Sequence, residues 1–172
     1  MELGREEDMR NGFSLIELLV VITVLAVLTS LAAPSFRSIV ADNLVKTSAN
    51  ELFYAIQLAR NEAVKRNTMV SICPSSNQSS CTSNGNWNVG WIIFEDVNAS
   101  GSRDNSETLI RVQTALDSSV AAAGPTAIQF ATGGYLEPAA VQSVQVSAAD
   151  SANPRWVCLT AIGKAQVQAT SC

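Results

Sequence analysis

Histidine is absent from the 172 residues, and that one absence closes several functional classes. It removes imidazole general acid–base chemistry, Ser-His-Asp and Cys-His nucleophile systems, and the commonest zinc ligand. Charge is scarce too, with Asp, Glu, Lys and Arg at 15% where soluble domains carry roughly a quarter. The 11 basic and 15 acidic residues leave a net charge of −4, which argues against a broad cationic surface for nucleic acid. Cysteine is limited to Cys73, Cys81, Cys158 and Cys172, and no two have the C-x2-C spacing of a zinc site. In a membrane-anchored chain an even count points to two disulfides and an oxidising compartment. The sequence-local pairs Cys73–Cys81 and Cys158–Cys172 are the expected ones; the alternative is thiols that stay reduced and simply pack. Nothing assembles a nucleophile, a base and an oxyanion site, so enzymatic activity is not expected.

The shortage of charge is concentrated in one stretch. Residues 13–33 hold a single ionisable side chain, Glu17, and as a helix they would span about 30 Å, the thickness of a bilayer's hydrocarbon core. A secretory signal peptide would carry a basic segment first and a cleavage site after its apolar core. Here residues 1–12 are polar and the candidate processing point precedes the apolar run, so that run is expected to be retained. A plain membrane anchor leaves Glu17 unexplained. Such a carboxylate costs on the order of 3 kcal/mol at a bilayer centre, less near the interface, and usually has a functional partner.

The stretch Gly12-Phe13-Ser14-Leu15-Ile16-Glu17-Leu18-Leu19-Val20 resembles the class III signal of type IV pilins and pseudopilins. The resemblance implies cleavage after Gly12 by a prepilin peptidase and N-methylation of the new terminus, Phe13. Glu17 becomes the fifth mature residue, where this family carries its glutamate, and Pro34 the twenty-second, where many pilins place a helix-bending proline. The physics agrees, because the cationic amine of Phe13 on a neighbouring subunit can neutralise Glu17 within the membrane and so set axial register. Removing residues 1–12 would leave 9 basic and 11 acidic side chains. Pilin leaders are commonly short and basic; a start at Met9 would leave Met9-Arg10-Asn11-Gly12, a more ordinary leader than the acidic one starting at Met1.

Beyond Pro34, Leu44, Leu52, Ile56, Ala59 and Ala63 recur at helical spacing, which predicts an amphipathic helix to about Arg66 with Asn67 as its stop. Arg60, Lys65 and Arg66 read as a solvated helix end suited to the macrodipole. From Thr68, short Val, Ile, Phe and Trp runs alternate with Ser/Asn/Gly clusters, and strands are expected at 69–73, 91–95, 108–112, 127–130, 144–147, 155–160 and 165–168. The expected domains are a leader at 1–12, a transmembrane and assembly part at 13–33, an amphipathic part at 34–67 and a periplasmic β-rich domain at 68–172. The fold class is therefore α+β, one long helix packed on antiparallel sheet. Within this span Leu58-Ala59-Arg60-Asn61-Glu62-Ala63-Val64 and Gly90-Trp91-Ile92-Ile93-Phe94-Glu95-Asp96 resemble the GspH/FimT group of minor pilins and pseudopilins. That group implies a long N-terminal helix on antiparallel sheets.

Three features invite chemistry. Asp96, Asn98, Ser100, Asp104 and Glu107 occupy positions 1, 3, 5, 9 and 12 of a loop with Gly101 at 6, as in a calcium-binding EF-hand. Flanking strands instead of helices favour an ordinary hairpin loop, and no cofactor is expected. FimT-type competence pilins carry a basic Gly-Arg-x-Arg motif; the matching residues here are Gly163-Lys164-Ala165-Gln166. Lys164 lacks the guanidinium fork and Gln166 has no charge, which disfavours DNA. Trp87, Trp91 and Trp156 are expected in the core or on a sheet face, although a carbohydrate surface would use the same residues.

The resemblance thus implies a minor type IV pilin of the FimU/FimT kind, a structural subunit that primes assembly and joins a tip complex. A GspH-like minor pseudopilin of a type II secretion system and a DNA-binding competence pilin are the alternatives. The implied partners are other minor pilins, the major pilin, prepilin peptidase and the inner membrane. The implied location is single-pass in that membrane with a periplasmic domain, then extracellular in the pilus.

Overall fold

Alternation and helical spacing produce one helix followed by nine strands in the computed structural model, which describes residues 13–172. The leader, Gly12 and the choice between Met1 and Met9 lie outside the described residues. Helix α1 runs Leu15–Arg66, with Glu17 in its first turn and Lys65 and Arg66 in its last, the charge order that complements the macrodipole. Asn67 stops it in the left-handed conformation at φ 52°, a role that Asn tolerates better than other non-glycine residues. α1 continues through Pro34, the position of the expected bend, and the side chains at 31–34 lie outside those described.

The chain divides into two compact units, one up to Arg37 and the other Ser38–Cys172. In the second, β1 (Val70–Pro74), β2 (Trp91–Glu95), β3 (Leu109–Gln113), β5 (Ile128–Phe130) and β6 (Leu136–Glu137) form a five-stranded antiparallel sheet ordered β3-β2-β1-β5-β6. Strands β4 (Val120–Ala123), β7 (Gln142–Ala148), β8 (Arg155–Leu159) and β9 (Ala165–Gln168) form a second, ordered β4-β7-β8-β9. The seven expected strands are present within a few residues of their expected ends. β4 and β6 are the additions: Val120–Ala123 is three alanines after one valine, and Leu136–Glu137 is two residues long, so neither carries a legible β pattern.

Alternation assigns each face. Ile72 pairs with Ile93 on the side facing α1, while Cys73 pairs with Ile92 and Ser71 with Phe94 on the other. The α1 side joins Val45, Ala49, Leu52, Ile56, Ala59 and Ala63 to Val70, Ile128 and Phe130 of the first sheet and Val144, Val146, Val157 and Leu159 of the second. One core therefore holds α1 and both sheets together, and its small alanines let the helix approach closely. The outer face of the first sheet buries a second, smaller cluster of Cys73, Ile92 and Phe94, with Cys81, Val112 and Ala127 against it. This is why β1 is buried along its whole length.

Candidate functional site: the N-terminal segment and the surface of the β domain

Between Leu15 and Leu28 the leucines, valines and isoleucines of α1 stay about half or more exposed. The polar groups interrupting them are satisfied locally. Thr23 Oγ1 donates to Val20 O at 2.8 Å, Thr29 Oγ1 to Leu25 O at 2.9 Å, and Ser30 Oγ to Val27 O at 2.7 Å. Backbone and hydroxyl groups are thus paired inside the helix, as a lipid environment demands. Among the described residues this is the one helix long and apolar enough to cross a bilayer. Phe13 precedes it, 79% exposed, and Glu17 lies exposed one turn in.

At the other end of α1 the structure corrects the reading of a merely solvated cluster. Arg60 Nε donates to Gly134 O at 3.0 Å and its Nη2 to Ile162 O at 3.1 Å. Those carbonyls belong to the β5–β6 turn of one sheet and the β8–β9 turn of the other, so one guanidinium ties both sheets to the helix. Gly134 and Gly163 each take φ 75°, and a Cβ on Gly163 would collide with Gly134 O. Leu136 N–H donating to Ala161 O at 3.0 Å closes the same joint. Arg66 pairs with Glu62 and, at 2.6 Å, with Glu95. Hydrogen bonding to Arg66 holds both carboxyls below their ordinary range. Lys65 is the solvated member, 3.7 Å from Glu62.

Farther back on α1, Asp42 accepts from Ser151 Oγ at 2.5 Å and from Asn153 Nδ2 at 2.8 Å. These two bonds, Ser151 the stronger influence, hold its carboxyl below the usual value and fasten the helix to the β7–β8 turn.

The calcium-like loop closes on itself. Asp96, fully buried, accepts from Ser71 Oγ at 2.6 Å, Gln129 Nε2 at 2.9 Å and the backbone N–H groups of Ser100 and Gly101 at 2.9 Å each. Glu107 accepts from Val97 N–H at 3.1 Å and Asp104 N–H at 3.0 Å. Asp104 faces Asn98 Nδ2 and Ser106, whose hydroxyl lowers its pKa. Ser100 Oγ donates to Ser102 O. These oxygens accept from the loop's own donors, and among the described residues no three of His, Cys, Asp or Glu gather closely enough to hold a metal ion.

Arg103 joins this loop to the preceding one, donating to Ser79 O at 2.8 Å and Glu107 O at 2.9 Å. Both cysteine pairs are disulfides, Cys73–Cys81 and Cys158–Cys172. Trp87 and Trp91 are core residues, Trp87 donating its indole N–H to Pro125 O at 2.9 Å, while Trp156 is half-buried on β8. Lys164 is exposed beside exposed Gln166.

The type II transport protein GspH family model matches residues 48–163. The chain belongs to the GspH family. The prokaryotic N-terminal methylation motif also matches, over residues 8–33, a span that includes Gly12, Phe13 and Glu17. Among solved structures, the type IV minor pilin FimU of Pseudomonas aeruginosa matches at 21% identity and TM-score 0.58, over 74% of this chain and 90% of that one. The minor pseudopilin EpsH of Vibrio cholerae matches at 12% identity and TM-score 0.49, over 73% and 96%. No curated protein sequence matches the chain. The FimU match shows a pilin-like fold for this GspH-family chain. The apolar helix and the methylation motif point to membrane anchoring.

Sequence reasoning missed Arg60, Asp42 and Arg103 as fastening residues. Their partners are mostly backbone carbonyls and loop hydroxyls more than 20 positions away, and a carbonyl leaves no trace in the side-chain pattern.

Proposed function

We propose that this GspH-family chain is a minor type IV pilin resembling FimU and FimT, a structural subunit that primes pilus assembly and joins the tip complex. The observation that carries the reading is the union, in one chain, of the methylation motif over residues 8–33 with a GspH-family β domain. Prepilin peptidase removes residues 1–12 after Gly12, Phe13 becomes the methylated terminus, and residues 13–33 hold the subunit in the inner membrane with 68–172 in the periplasm. Glu17 then pairs with the Phe13 amine of a neighbouring subunit and draws the chain into the filament, from which it is displayed outside the cell. Two disulfides and a long β domain support the pilus over the secretion system.

The family model's own description, a type II transport protein, favours a second reading as a minor pseudopilin of a type II secretion system. A DNA-uptake role has only Lys164 in its support, with the uncharged Gln166 beside it.

A clean deletion, scored for sheared surface pili and for exoprotein in the same culture supernatants, separates the readings. Lost pili with normal secretion is the expected result. Normal pili with secreted enzymes held in the periplasm would move the protein to the secretion system.

A further inference from the structure

β3 is the outermost strand of the five-stranded sheet: it pairs with β2, and no strand among the described residues pairs with its other edge. Beside it, Glu51, Tyr54 and Leu58 of α1 and Trp91, Arg111 and Gln113 of the sheet line an open groove of about 360 Å³. Register puts Arg111 opposite Ile93 and Gln113 opposite Trp91, so both lie on the side of the sheet that faces the helix. Trp91 is buried as the groove's floor, whereas Tyr54 on its wall is 68% exposed. Glu51 and Arg111 are exposed and make no ion pair or hydrogen bond with any described residue, so the groove carries two opposite charges that each lack a partner.

An unpaired strand edge with a pocketed flank recruits an extended segment as its next strand, its main chain supplying affinity and alternate side chains specificity. A second copy of this chain is the disfavoured occupant. Full-length antiparallel pairing of two β3 strands sets Arg111 directly against Arg111, and like charges directly opposite are destabilising.

We infer that the β3 edge and the Glu51–Arg111 groove take a β-strand of a different pilin-like subunit, one that sets a carboxylate opposite Arg111. Successive residues alternate faces, so the residues two before and two after that carboxylate also point toward the helix. They fill the space over Tyr54 and Leu58, and a basic residue there meets Glu51. The inference rests on the reading of the chain as an assembling subunit. Arg111 acts as the discriminator: it repels a second copy and rewards an acidic strand.

The test uses the full chain in its native cells, with Tyr54 replaced by the photo-reactive p-benzoylphenylalanine and processing after Gly12 scored in the same samples. Ultraviolet irradiation should join this position to a strand segment of another pilin-like subunit, identified from the cross-linked peptide, with an Asp or Glu in that segment. Arg111→Glu should cut the yield about five- to tenfold, the scale of reversing one cross-strand charge pair. Arg111→Lys should retain most of it, and exchanging the partner's acid for Arg should restore the Arg111→Glu chain. Cross-linking to a second copy, to the N-terminal helix of any subunit, or to nothing overturns the inference, as does a yield indifferent to Arg111→Glu. A processed chain without the cross-link defeats this surface alone; an unprocessed chain defeats both it and the functional reading.

Discussion

A single arginine shows how much one residue can decide in this fold. Arg60 is a charged group spent on two neutral carbonyls, and hydrogen bonds to charged groups are worth about 1.5–3 kcal/mol each. Arg60→Ala should therefore lower the stability of the Ser38–Cys172 unit by roughly 2 kcal/mol or more in urea unfolding. Arg60→Lys should recover little, because an ammonium lacks the fork that reaches Gly134 O and Ile162 O together. Glu17 makes the opposite kind of contribution, to assembly. Glu17→Ala should leave processing after Gly12 largely intact while cutting incorporation into filaments, whereas Gly12→Ala should block processing itself. Immunoblots of sheared filaments and whole cells read both, and normal incorporation of Glu17→Ala would remove the charge-pair argument.

Among the elements, the two disulfides are expected to differ in a way that loop length alone reverses. Cys158–Cys172 closes 14 residues and Cys73–Cys81 only 8, so chain entropy favours the former, at about 3 kcal/mol. Yet Cys172 sits in an exposed tail, while Cys73 is fully buried against Ile92 and Phe94 and its bridge holds the loop that covers them. Replacing Cys73 and Cys81 by serine should cost more stability than replacing Cys158 and Cys172, measured as the shift in thermal midpoint. The tie between α1 and the β7–β8 turn carries a pH signature. Because the folded carboxyl of Asp42 titrates below its ordinary value near 3.8, the unfolded chain binds more protons in that window. The contribution is complete above that ordinary value and is lost as pH falls through the depressed one. Urea midpoints followed below about pH 4 should fall less steeply in Asp42→Asn than in the parent.

Over the whole molecule, one core shared by α1 and both sheets implies one cooperative transition. A chain starting at Ser38 keeps Ala41 through Ala63 of the core face, so it should be soluble and unfold in a single step seen alike by far-ultraviolet circular dichroism and tryptophan fluorescence. Two separated transitions would mean that the sheets fold independently. Trp87 and Trp91, both in that core, make the fluorescence a direct report of it.

The order of elements and most of the strands were legible because their signals are local. The run from Phe13 declares itself by the absence of charge, α1 by the recurrence of Leu52, Ile56, Ala59 and Ala63, its stop by Asn67, and the disulfides by two sequence-local pairs of cysteines. β4 and β6 were not legible, since alanines and a two-residue strand become strands only when a neighbour offers hydrogen bonds. The loop from Asp96 to Glu107 shows the same limit from the other side: its spacing matched a cation loop, but spacing cannot tell whether a carboxylate will turn toward an ion or toward its own backbone amides. Nor does any window of sequence contain the burial of Asp96 beside Ser71 and Gln129, from which its carboxylate accepts hydrogen bonds. Sequence alone thus determined the signal, the helix and the class of fold, all written in neighbouring residues. Tertiary structure alone decided the Arg60 joint, the Asp42 tie and, among the described residues, the open edge of β3, because each depends on groups that distant segments bring together.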